Sequence, residues 1–115
     1  MPAQATSDTA TESRGFVRVR AIGEIDAYSA PAFERALSPQ PGPPPAVLVV
    51  DLHEVTFLGV AGLLVLARTR EWTHRAGTRL RMLSSNSSVD RALALLDATL
   101  QVHNGQFDQS SRSKI

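Results

Sequence analysis

From Phe16 to Ile25 the chain alternates, with Val17, Val19 and Ala21 on one side and Arg18, Arg20 and Ile22 on the other. That period belongs to a strand with one face buried and the other partly wet. In "DAYSAPAFERALS" the spacing becomes helical, with Ser29 as N-cap, Pro31 tolerated in the first turn, and an apolar stripe of Ala32, Phe33, Ala36 and Leu37. The prolines of "PQPGPPP", residues 39–45, stop that helix and predict a stiff extended connector over the surface. "AVLVVDL" is apolar on both faces until Asp51, which predicts a central strand covered by helices on each side.

From about Ala61 to Ala76 a second helix is predicted. Val65, Thr69, Trp72 and Ala76 form one stripe, Leu63, Leu66 and Ala67 lie beside it, and Gly77 ends it. "TRLRMLS" reads as a short strand. With Ser87 as N-cap, "SVDRALALLDA" then makes a helix through Val89, Ala92, Leu93, Leu95 and Leu96, and "TLQVH" a last strand. Strands alternating with helices imply right-handed crossovers and a small, mostly parallel sheet flanked by three or more helices, an α/β fold. Residues 1–13 read as a loose arm or one weak edge strand, residues 14–103 as the domain, and residues 104–115 as a polar tail.

Composition narrows the function classes. A chain of 115 residues holds one core and one domain. The formal charge is +1, and among twelve basic residues only Lys114 is a lysine, so no polybasic character points to direct nucleic-acid binding. The first dozen residues carry no signal pattern, and no apolar run approaches the roughly 20 residues of a membrane span. The expectation is a cytoplasmic protein without membrane insertion. Without cysteine there is neither a thiolate nucleophile nor a cysteine-ligated zinc, and His53, His74 and His103 are spaced too widely to make a metal set.

The glycines of "FLGVAGL" follow a strand and open a helix, so a phosphate-binding turn is the first candidate there. A P-loop needs a lysine and a hydroxyl residue after its second glycine, and a dinucleotide turn needs three glycines at fixed spacing. Leu63 and Leu64 stand in the place of the lysine and hydroxyl. Asp51 could be a phospho-acceptor or general base, but reads better as a residue bonding backbone amides of a following turn that also holds His53. Glu24 and Asp26 could pair their carboxylates, yet Asp26 and Ser29 more simply shape the turn into the first helix. No nucleophile, base and oxyanion set is recognisable, and neither catalytic residues nor a cofactor is expected. Arg68, Arg70, Arg75, Arg79 and Arg81, opposed only by Glu71, form a basic run that reads as a solvated face, with docking on an acidic protein as the alternative. Trp72 reads as a packing residue.

Taken together, "VRAIGEIDAYSAPAFERAL", "VLVVDLHEVTFLGVAGLLVLARTREWTHRAGTRLRML" and "SVDRALALLDATLQV" resemble a STAS domain of the kind found in anti-sigma factor antagonists. The resemblance implies a mixed sheet of four to five strands and a helix-and-loop surface that holds an anti-sigma factor of the serine-kinase type. It also admits a homodimer. In that family the joint before the helix carries Asp, Ser, then Ser, Thr or Ala, then Gly-Leu, and one of those hydroxyls is phosphorylated to release the partner. Carried over, the Asp falls on Gly59, the hydroxyl positions on Val60 and Ala61, and the final pair on Gly62 and Leu63. The frame is kept without a phosphorylatable side chain. The nearest hydroxyl, Thr56, precedes a core-like Phe57 and is structural in the family. The resemblance therefore places partner binding on Leu58, Gly59, Val60, Ala61, Gly62, Leu63 and Arg68, with Leu64 extending the apolar patch and no phosphorylation site. Its alternative is a scaffold or accessory subunit of a stress-signalling complex or of a membrane transport ATPase.

Overall fold

A computed structural model describes the backbone of residues 10–13 and 15–104 and the side chains of residues 15–97. In chain order the elements are β1 (Ala10–Ser13), β2 (Phe16–Ile25), α1 (Ala30–Leu37), β3 (Val47–Leu58), α2 (Val60–Ala76), β4 (Arg79–Leu83) and α3 (Ser87–Asn104). They form one four-stranded sheet in the order β1-β2-β3-β4. β1 runs antiparallel to β2, whereas β2, β3 and β4 are parallel. The weak edge strand anticipated in the N-terminal arm is thus present as β1.

Because the parallel strands are laid down in one direction across the sheet, right-handed crossovers place α1 and α2 on the same face. The core follows from this. Val19, Ala21 and Ile25 of β2, Leu48, Val50, Leu52, Val55 and Leu58 of β3, and Leu80 and Met82 of β4 pack against Phe33 and Leu37 of α1, Val65 and Leu66 of α2, and Val89, Leu93 and Leu96 of α3 in one cluster. Each fully buried leucine or phenylalanine contributes about 1.5–3 kcal/mol relative to exposure, so this inner face holds the fold together. Trp72 is half-buried, and its indole N–H donates to the Leu37 carbonyl at 2.9 Å, satisfying the C-terminus of α1 from α2. The buried hydroxyls of Thr69 and Thr73 return to the Val65 and Thr69 carbonyls of their own helix, both at 2.9 Å. Among the described residues no helix is long and apolar enough to cross a membrane.

Several expectations are corrected. The described helices cover one face of β3 and not both, because the strand order never reverses. Val49, on the other face, is nevertheless buried, flanked in register by Arg18 and Arg81, whose aliphatic stems can cover an apolar floor while their guanidinia stay wet. "TLQVH" is not a strand. α3 runs through it to Asn104, since no glycine or proline interrupts residues 87–104. Nor does Ser87 cap that helix: the Asn86 carboxamide accepts from the Ser88 and Val89 amides at 2.8 and 3.2 Å. Leu95, assigned to its apolar stripe, is exposed. His53 stands within β3 rather than in a turn.

The arginine run does not form one solvated face either. Arg70 is buried and bonds Asp97 of α3 at 2.8 Å. Arg75 pairs with Glu71 one turn away at 3.1 Å, and Arg79 and Arg81 belong to the helix-free face of the sheet. The helical periodicity of residues 68–75 placed these cations around α2, so they reach different neighbours.

Candidate functional site

β2 and β3 reach the same end of the sheet together, with Glu24 opposite Phe57 and Ile25 opposite Leu58. There the chain passes straight from β3 into α2. Gly59 is extended and caps the helix without a side chain. Its N–H donates to the Ile25 carbonyl at 2.9 Å, and its own carbonyl accepts from the Leu63 N–H at 3.0 Å. A Cβ at Gly62 would meet Leu58 Cδ1 at 2.6 Å and Ile25 Cγ2 at 2.7 Å. The first turn of α2 is therefore pressed against the ends of two strands, and any side chain larger than hydrogen at Gly62 must displace Leu58 or Ile25.

This close approach sorts the joint into what is held and what is offered. Leu58 and Gly62 are buried, and Ala61 and Leu63 are half-buried against the core. Val60 is 73% exposed and Leu64 is 51% exposed. One helical turn apart, they share a face that continues to Arg68. Phe57, expected in the core, is exposed to 48%, and Tyr28 to 78%. Together they give this end of the sheet an unusual share of large apolar side chains in water.

Tyr28 is held by the turn before α1. The Asp26 carboxylate accepts the Tyr28 and Ser29 amides at 3.0 and 3.1 Å, while the Ser29 hydroxyl accepts from the Asp26 N–H and donates to the Glu24 carbonyl at 2.8 Å. The hydrogen bond from the Ser29 N–H, against slight desolvation and aided by the Ser29 hydroxyl and the Tyr28 N–H, holds the Asp26 carboxyl below its usual range. "GEID" and its neighbours thus build a turn rather than a paired-carboxylate centre. The Ser29 hydroxyl is buried and committed to that turn, which removes it as a nucleophile.

Arg68 forks onto Glu34 of α1 through Nε and one terminal nitrogen, at 2.7 and 3.0 Å. That hydrogen bond and charge lower the Glu34 carboxyl and raise the Arg68 guanidinium. Arg68 keeps its place beside the Val60 and Leu64 face with its charge already answered. Asp51 lies far down β3 from the joint. Burial pushes its carboxyl up, but the His53 N–H, the Arg18 guanidinium and the His53 ring together hold it below its usual range. It bonds the His53 backbone amide at 3.0 Å as expected, though along a strand and not around a turn. Thr56 is exposed.

The structure therefore brings Gly59, Val60, Ala61, Gly62 and Leu63 together at one helix start, with Leu58 beneath and Arg68 two turns along. Sequence reasoning missed Tyr28, because an exposed aromatic in a loop has no periodic signature. Only the Asx turn at Asp26 signals that Tyr28 is displayed.

Comparisons with known proteins bear on the fold and the family. The model of the STAS domain family matches residues 9–108. The anti-sigma-F factor antagonist RsfB of Mycobacterium tuberculosis (strain CDC 1551 / Oshkosh) is 40% identical over 63 residues, 55% of this chain and 52% of that relative. The match thus spans about half the length of either protein. The crystal structure of an anti-sigma factor antagonist from Mycobacterium paratuberculosis superposes with a TM-score of 0.66 and 31% identity, over 83% of this chain and 79% of that one. A structure described as Mglu superposes with a TM-score of 0.60 at 18% identity, over 70% of this chain and 20% of its own, and shows the fold alone.

Proposed function

The chain belongs to the STAS domain family, and on that premise we propose that it is a non-enzymatic regulator of the anti-sigma factor antagonist kind. In this reading it binds an anti-sigma factor of the serine-kinase type in the cytoplasm and so influences sigma-factor-dependent transcription. The observation that carries it is the helix start at which Val60, 73% exposed, stands where the family resemblance expects a hydroxyl.

The physical logic is one of charge against burial. A phosphate placed at such a joint brings roughly −1.5 to −2 units of charge into an interface and opposes docking through desolvation and repulsion. Val60 and Ala61 offer no oxygen to accept it. A valine covered by a partner instead contributes on the order of 1–2 kcal/mol of favourable burial, and Leu64 beside it contributes similarly. The joint suits an interface that stays permitted in the presence of a kinase and ATP.

Calorimetric titration against a serine-kinase-type anti-sigma factor from the same organism tests the reading. Saturable one-to-one binding is expected, weakened roughly 10–100-fold by Val60→Asp, which buries a charge where an apolar contact stood. No binding, or equal binding by the Val60→Asp variant, would remove the joint from the interface.

A further inference from the structure

The sheet's other face offers a second surface, independent of the joint. In register across β2, β3 and β4, Phe16, Val47 and Arg79 form one row, Arg18, Val49 and Arg81 the next, and Arg20, Asp51 and Leu83 a third. Phe16, Val47, Val49, Arg79, Arg81 and Leu83 line a shallow groove of about 290 Å³. Its floor is apolar and its walls carry guanidinium groups. The one carboxylate in these rows, Asp51, is already held by Arg18 and His53. Arg79 and Arg81 pair with no carboxylate among the described residues.

We propose that this helix-free face is a docking surface for an acidic protein segment, one that sets carboxylates on Arg79 and Arg81 and lays an apolar side chain on Phe16, Val47 and Leu83. Charge complementarity selects that occupant. Guanidinium forks match carboxylates in bidentate geometry, and neighbouring arginines over an apolar floor favour a ligand that alternates the two characters. A second copy of the chain would bring arginine rows against arginine rows, a like-charge juxtaposition. Single-stranded nucleic acid binds sheet faces by stacking successive bases on several aromatic rings, and among the described residues Phe16 is the only ring lining the groove.

The test is an amide-resolved NMR titration of the full chain with a synthetic peptide of alternating glutamate and phenylalanine. A matched lysine–phenylalanine peptide and an oligothymidylate serve as competitors for the explanation. The expected result is saturable shifts at Val49 and Arg81 with the glutamate peptide alone, while the Val60 and Leu64 amides stay in place. Binding should weaken roughly 10-fold or more in Arg79→Gln/Arg81→Gln and further as salt rises. Loss of fold in that variant leaves the comparison of the two peptides on the native chain, which decides alone. Equal binding of the lysine peptide, tighter binding of the oligonucleotide, or shifts with protein concentration in the absence of peptide would each overturn the proposal. So would NOEs from residues 105–115 to Val49 in the free protein.

Discussion

Gly62 and Ile25 touch so closely that one added methyl group on the glycine would lie 2.7 Å from Ile25 Cγ2. That approach fixes where α2 begins and hence which side chains the joint presents. Gly62→Ala gains about 1 kcal/mol of helix propensity but overpacks the contact with Ile25 and Leu58, which costs about 1–3 kcal/mol. A net destabilisation of about 1 kcal/mol is expected in urea denaturation, and more for Gly62→Val. A stabilised Gly62→Ala variant would show that the joint has room to relax.

The buried ion pair between Arg70 and Asp97 ties α3 to α2 at 2.8 Å. Removing one partner breaks this charge-assisted bond in a largely dry site, so Arg70→Ala should lower stability by about 3 kcal/mol. Replacing both, in Arg70→Met/Asp97→Leu, should recover most of that loss. Chemical denaturation of the singles and the double reads the coupling directly, and additive effects would mean that the two charges act independently.

Acid sensitivity follows from Asp51. Its folded-state carboxyl lies below the ordinary value of 3.8, so the stabilisation it contributes is present above that value and is lost as pH falls through the lowered folded-state value. Asp51→Asn removes the charge that Arg18 and His53 face, with an expected cost of about 1–3 kcal/mol at neutral pH. It should also flatten the acid limb of the stability profile below the ordinary carboxylate value of 3.8. Parallel profiles for variant and native chain would assign the acid limb to other carboxylates.

Much of the architecture was written in local spacing. The alternation of Val17, Val19 and Ala21, the stripe through Phe33 and Leu37, and Gly77 as a left-handed helix end all reappear in the fold. One-sided helix coverage was not legible, because Val47 and Val49 give β3 an unbroken apolar run whether helices or arginine stems lie above them. Asn86 and Ser87 are both competent caps, and one position of register separates them. Phe57 looked like core because of its place in an apolar stretch, but in a strand it points to the side opposite Leu58, away from the helix-covered face that buries Leu58. That a helix starts at Gly59-Val60-Ala61-Gly62-Leu63 was legible. What the structure adds is the division between Leu58 and Gly62, which hold the joint, and Val60 and Leu64, which face outward.

At that joint, restoring a hydroxyl should restore control. Val60→Ser supplies an exposed acceptor at the N-terminus of α2, where helix amides favour a phosphate. With a kinase-type anti-sigma factor that binds the native chain, the variant is expected to gain phosphate and release its partner when ATP is added. A variant that stays unmodified would count against the joint as a site of phosphate control.

The most direct measurement follows the native chain with a serine-kinase-type anti-sigma factor that it binds, through ATP addition, with intact-mass spectrometry on the chain and size-exclusion chromatography on the complex. An unchanged mass and a complex that persists with ATP are the predicted result. A stoichiometric mass gain of one phosphate, with dissociation of the complex, would contradict an interface left permanently permitted by Val60 and Ala61.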